Sequence, residues 1–149
     1  MIHRDKIRNL KDIKKICAIQ RMDIEMQVER SNASLKRLDD DRTAEGKALT
    51  MFQDGWRRAV SGRSFHPAIT ASWSAEILRT ESAIAKVGED IQQEKTTRQG
   101  LHKAQTAVTA RCDAIDDLLH GAVRVAQRQR DEMALDEHIG RTTVSWRSA

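Results

Sequence analysis

Tyrosine is absent from this chain, aromatic residues make up only 3% of it, and proline occurs once, at Pro67. So few rings argue against a large compact core, because aromatic side chains bury the most surface per residue. A single proline leaves long stretches in which nothing need break a helix. No run approaches the roughly 18 apolar residues of a membrane span, so direct insertion into a bilayer is not expected. The start, Met1-Ile2-His3-Arg4-Asp5-Lys6-Ile7-Arg8, has no apolar signal core, so a cleaved secretory leader is not expected and the cytoplasm is the default compartment. The two cysteines, Cys17 and Cys112, fit no zinc spacing. Neither a phosphate-binding P-loop nor a GxGxxG is present, and no cofactor is expected.

What the chain does have is charge and helix formers. Charged residues reach 32%, and mean hydropathy is −0.63. Ala, Glu, Lys, Leu and Arg supply 62 of the 149 residues, a bias typical of long or coiled-coil helices. Disorder is the competing reading of so polar a chain, and the ordered apolar spacing argues against it. The net charge of +4 arises from 26 basic and 22 acidic residues. An excess that small and mixed describes a solvated surface better than a nucleic-acid footprint.

In the first half, apolar residues recur at alternating steps of three and four. The register runs Leu10, Lys14, Cys17, Arg21, Ile24, Val28, Ser31, Leu35, Leu38, Arg42, Glu45, Leu49, Phe52, Trp56, Ala59. A repeat of about 3.5 residues keeps one stripe against a partner helix through a left-handed supercoil. Lys14, Arg21, Ser31, Arg42 and Glu45 are polar intruders in it. The segment Ser61-Gly62-Arg63-Ser64-Phe65-His66-Pro67 breaks the pattern. Gly62 can take the left-handed conformation that ends a helix, and Pro67 suits the first turn of the next one. The period then resumes through Ile84, Val87, Ile91, Glu94, Arg98, Leu101, Gln105, Val108, Cys112, Ile115, Leu119, Ala122, Ala126, Gln129 and Met133. Ile69, Trp73 and Ile77 carry it back to the turn in a less regular phase.

The expected fold is all-α: one long antiparallel two-helix coiled-coil hairpin over residues 1–140. Helix 1 spans about 3–60, a turn 61–66, and helix 2 about 67–139, ending at Gly140 before a flexible tail, 141–149. If the chain folds back at residue 64 or 65, facing residues have numbers that add to about 129. Cys17 then meets Cys112, Val28 meets Leu101, Phe52 meets Ile77 and Trp56 meets Trp73. Gly46, Gly55, Gly88, Gly100 and Gly121 each cost about 1 kcal/mol against alanine in a helix interior. The hairpin alone is therefore expected to be marginal, and a partner is implied.

Several groups invite a chemical reading. Cys17 and Cys112 could form a redox bridge closing a loop of about 95 residues, or be two small buried hydrophobes; a reducing cytoplasm favours the second. The five histidines, His3, His66, His102, His120 and His138, are scattered, and Asp39-Asp40-Asp41 point in different directions around a helix, so no metal site is expected. Arg4, Lys6, Arg8, Lys11, Lys14 and Lys15, with Arg124, Arg128 and Arg130 brought beside them, form a basic tip far from the turn. It can dock on an acidic protein surface or on phosphates, or be an ordinary solvated face. No aromatic residue interleaves those bases, which weakens the case for nucleic acid. At the turn end Phe52, Trp56, Phe65 and Trp73 form either a plug or a partner-binding knob.

The whole arrangement resembles the FliJ/YscO family, the stalk proteins of flagellar and virulence-type (type III) secretion systems. The resemblance lies in one long folded helix pair, a basic N-terminus and the ending Arg128-Gln129-Arg130-Asp131-Glu132-Met133-Ala134-Leu135-Asp136-Glu137-His138-Ile139. Members often close their second helix with an Arg-rich run, a Glu-Gln pair and a Leu-Asp-Glu. Here Leu135-Asp136-Glu137 fits, Asp131-Glu132 stands where Glu-Gln is usual, and His138 replaces a common apolar residue.

The resemblance implies a non-enzymatic stalk, similar to the rotary-ATPase gamma subunit, peripheral to the inner-membrane secretion apparatus. Its paired termini would enter the pore of a hexameric secretion ATPase, and more distal parts would contact the export-gate membrane protein. Export chaperones are further partners of some members. The residues expected at the ATPase end are Arg4, Arg8, Lys11, Arg124, Arg128, Asp136 and Glu137. The alternative is a generic coiled-coil adaptor or scaffold, and a basic nucleic-acid binder is a third class. An enzyme is least expected, since no convergent acid–base set can be read.

Overall fold

The computed structural model describes the backbone of residues 2–147 and the side chains of residues 4–142. Helix α1 runs Ile2–Ser61 and helix α2 runs Pro67–Arg147. The two pack against each other as an all-α helical hairpin, with no strand among the described residues. Burial is thin: among the described residues the buried apolar side chains are Cys17, Ile91 and Val108.

The connection is short because both helix ends are satisfied locally. The Gly62 amide donates to the Arg58 carbonyl at 3.1 Å, and Ser61 Oγ donates to the Arg57 carbonyl at 2.7 Å. At the other side the Thr70 amide donates to His66 O at 3.1 Å, with Pro67 occupying the first helical position, where its missing N–H is not needed. Gly62 does not take the expected left-handed conformation, for no described glycine has positive φ. Its amide instead completes one last i→i−4 bond, and the chain leaves the helix without a left-handed residue.

The helices form two compact units. The first joins Met1–Ile24 with Ala104–Ala149, and the second is Glu25–Lys103. In the first, α1 and α2 run antiparallel: Lys14 Nζ lies 2.7 Å from Asp116 Oδ1, and Cys17 meets Cys112. Asp116 Oδ1 accepts no hydrogen bond there. The contact is an ion pair set by distance, with both side chains about half exposed, and is worth little. Residues of the expected stripe, Leu10, Cys17, Val108, Ile115, Leu119 and Ala122, are withdrawn from solvent.

In the second unit Leu35 and Ile91 line one cleft between the helices. Near the turn the Phe52 and Trp73 rings meet at 5.9 Å, tilted by 42°, so Trp73 packs against Phe52, which the register paired with Ile77. Trp73 also lies over Gly55, not face to face with Trp56: a Cβ built on Gly55 would sit 2.9 Å from the indole. The bare glycine backbone is what lets so large a ring into the seam. Trp56 is left 37% exposed and Phe65 59%.

Helix α2 does not stop at Gly140. It continues to Arg147, where an end near 139 and a flexible tail from 141 were expected; residues 148 and 149 lie outside the described residues. Gly140 keeps a negative φ, so it lowers helix propensity without reversing the chain. Thr142 Oγ1 donates to the His138 and Ile139 carbonyls at 2.9 Å, which ties the turn containing Gly140 to the turn before it.

Candidate partner-binding surface

The basic tip is built in the first unit by two faces that the helical repeat makes inevitable. On α1, Arg4, Ile7 and Lys11 fall on one face at steps of three and four. On α2, Ala126, Gln129, Arg130 and Met133 do the same. The seven line one shallow groove. Ile7 and Ala126, both half-buried, give it an apolar floor that the exposed Met133 extends, while the exposed Arg4, Lys11 and Arg130 rim it with three cations. A groove open along its length takes the side of a helix or a loop rather than enclosing a small molecule.

The expected site residues divide by position. Arg4 and Lys11 line the groove itself, and a second shallow depression beside it is lined by Arg4, Asp5, Ile7, Arg8 and Lys11. Arg8 approaches Asp5 at 3.9 Å on an exposed surface, which leaves its charge only weakly compensated. Arg124 and Arg128 are exposed. Each sits two residues past an alanine that faces α1, Ala122 and Ala126, so a rotation of about 200° turns them away from the groove. Asp136 and Glu137 lie three and four residues beyond Met133, on the extension of its face. Residues 134–142 are all exposed, and Glu137 reaches Arg141 within its own helix at 4.0 Å.

Ile7 and Arg130 belong to the groove and were absent from the expected set. One more step of three back from Leu10 in the apolar register lands on Ile7. Arg130 follows Ala126 by four, which puts it at the edge of the seam while Arg128 points outward. Both were therefore findable from spacing once charge was weighed together with facing.

Among the described residues no three His, Cys, Asp or Glu side chains converge on a common point as a metal-ligand set. Asp39, Asp40 and Asp41 are exposed. His120 Nδ1 lies 2.8 Å from the Asp116 carbonyl one turn back. No described helix is long and apolar enough to cross a membrane. The Cys112 thiol is held above the ordinary thiol range by its interaction with the Cys17 thiol, then by burial and by the charges of Cys17 and Asp113, with Arg21 opposing.

No family model, no curated protein and no solved structure matches the chain. The class it defines is thus the one its own helices give: an all-α helical hairpin with a cation-rimmed groove where the start of α1 meets the late part of α2.

Proposed function

We propose that this protein is a non-enzymatic stalk or escort component of a type III secretion system, linking a hexameric secretion ATPase to the export gate and, through further contacts, to export chaperones. The observation that carries this reading is the groove of Arg4, Lys11 and Arg130 over Ile7, Ala126 and Met133, beside the Leu135-Asp136-Glu137 ending. Cations on the rim attract an acidic protein surface and steer its approach. The apolar floor supplies contact area that charge alone does not. Such a surface acts by binding, and chemistry remains with the ATPase.

The test is turnover of the secretion ATPase with this protein at rising ratios. Stimulation that accompanies hexamer formation, and that disappears when residues 124–149 are removed, supports the stalk. Absence of both binding and stimulation at micromolar excess overturns it.

A second reading, a coiled-coil adaptor, draws on a different observation. Ile16, Ile19 and Met22 lie exposed along α1, each by more than half. A row of apolar residues at steps of three on an outer helix face can recruit another helix. Concentration-dependent self-association in sedimentation, with no effect on any ATPase, would favour that adaptor.

A further inference from the structure

The chain holds two cysteines in 149 residues, and the first unit sets them against each other. Cys17 is 3% exposed and Cys112 is half-buried, and the two line one cleft between α1 and α2, near enough for Cys17 to act on the Cys112 thiol. The register at that level is marked independently by Lys14 and Asp116 at 2.7 Å, one helical turn away on each helix. A small cleft lined by Lys14, Cys17, Ala18, Arg21, Cys112 and Asp116 opens on the pair. Filling space in a seam asks only for a small apolar side chain and places no demand on its opposite number. Two thiols on opposite helices lining the same cleft are what that role leaves unaccounted for.

We infer that Cys17 and Cys112 are a dithiol oxidation site, which a small-molecule disulfide converts into an intrachain bridge stapling α1 to α2 in this unit. Cys112 reacts first, because it is the more exposed of the two. Its thiol releases a proton to solvent, and the thiolate attacks one sulfur of the oxidant. That S–S bond breaks, and the first small thiolate leaves and is protonated. Cys17, deprotonated in turn, attacks Sγ of Cys112 in the mixed disulfide and expels the second small thiol. Two electrons pass from the protein to the oxidant, and the two protons end on the released thiols. The buried Cys17 needs no access from solvent, since its target lines the same cleft from the facing helix.

The charges around the pair set the pace. Lys14 and Arg21 face it from α1, and Asp113 and Asp116 from α2. With the Cys112 thiol held above its ordinary range, little thiolate exists near neutral pH. The first step therefore accelerates as pH rises through the thiol range.

The experiment uses the full chain and oxidised glutathione, with intact mass read under denaturing conditions. Expected is a fall by the mass of two hydrogens with no retained glutathione, and a linked peptide pair containing Cys17 and Cys112. The thermal midpoint should rise, the apparent size should stay the same, and dithiothreitol should reverse the change. In Cys17→Ser the glutathione should remain trapped on Cys112. A persistent glutathione adduct on Cys112 of the unsubstituted protein overturns the proposal, as do bridges formed only between chains, two unreacted thiols, or a midpoint that does not move.

Discussion

Ser31 and Thr80 are both buried hydroxyls, 4% and 5% exposed, and they differ in where the hydroxyl goes. Thr80 Oγ1 donates to the Glu76 carbonyl at 2.8 Å, one turn back in its own helix. Ser31 Oγ has no partner, and an orphaned buried hydroxyl costs about 1–3 kcal/mol. Ser31→Ala should therefore raise stability by about 1 kcal/mol, read as a higher urea midpoint at unchanged slope. Cys112 gives a prediction of the opposite kind, in pH. Its raised pKa means the folded state favours the neutral thiol. That contribution is fully present below the ordinary thiol range and is lost as pH climbs through the raised value. Denaturation at alkaline pH should show a loss that Cys112→Ser lacks. The same residues show what the sequence disclosed. Counting apolar side chains found most of the seam and passed over Thr80, whose place between Ile77 and Ile84 fits the spacing but whose hydroxyl hides that it is buried. Lys14 and Arg21 occupy seam positions in sequence yet are exposed, because long side chains carry their charge out to water.

At the scale of the helix, glycine separates into two kinds. Nothing lies within 4 Å of a Cβ built on Gly88 or Gly100, so Gly88→Ala and Gly100→Ala should each stabilise α2 by about 0.5–1 kcal/mol through propensity alone. Gly55 is different. A methyl there meets three indole atoms of Trp73 at 2.9–3.1 Å, and the same ring already packs against Phe52, 5.9 Å away. Gly55→Ala should lower stability by about 1–2 kcal/mol despite the better propensity, and Trp73 fluorescence should shift as the ring is displaced. From the sequence the three glycines look alike. Their difference is a contact between helices, which periodicity locates only to within a residue or two, and the same uncertainty assigned Trp73 to Trp56 in place of Gly55. The end of α2 was unreadable for a related reason: Gly140 stops a helix only if it adopts the left-handed conformation, and composition does not say whether it will.

For the molecule as a whole, the question is which faces of the basic end a partner touches. The hairpin could be read from spacing because a two-helix seam needs only apolar positions in phase. The division of the cations between two faces needed the helices themselves. Arg4, Lys11 and Arg130 rim the groove, whereas Arg124 and Arg128 are turned to the other side of α2. An adaptor that grips one face responds to one of these sets alone. A hexameric ring that surrounds the paired helices, as the proposed function requires, contacts both. The double variants Arg4→Glu/Lys11→Glu and Arg124→Glu/Arg128→Glu should therefore each weaken ATPase binding by roughly tenfold or more, about 1.4 kcal/mol apiece. Both losses should shrink at high salt, where exposed charges are screened beyond about 10 Å or less. Titration of each variant against the ATPase by fluorescence anisotropy, at low and high ionic strength, reads this directly. If the Arg124/Arg128 pair proves silent while the Arg4/Lys11 pair does not, the protein docks by its groove against one surface, and the ring-threading stalk is the wrong geometry for it.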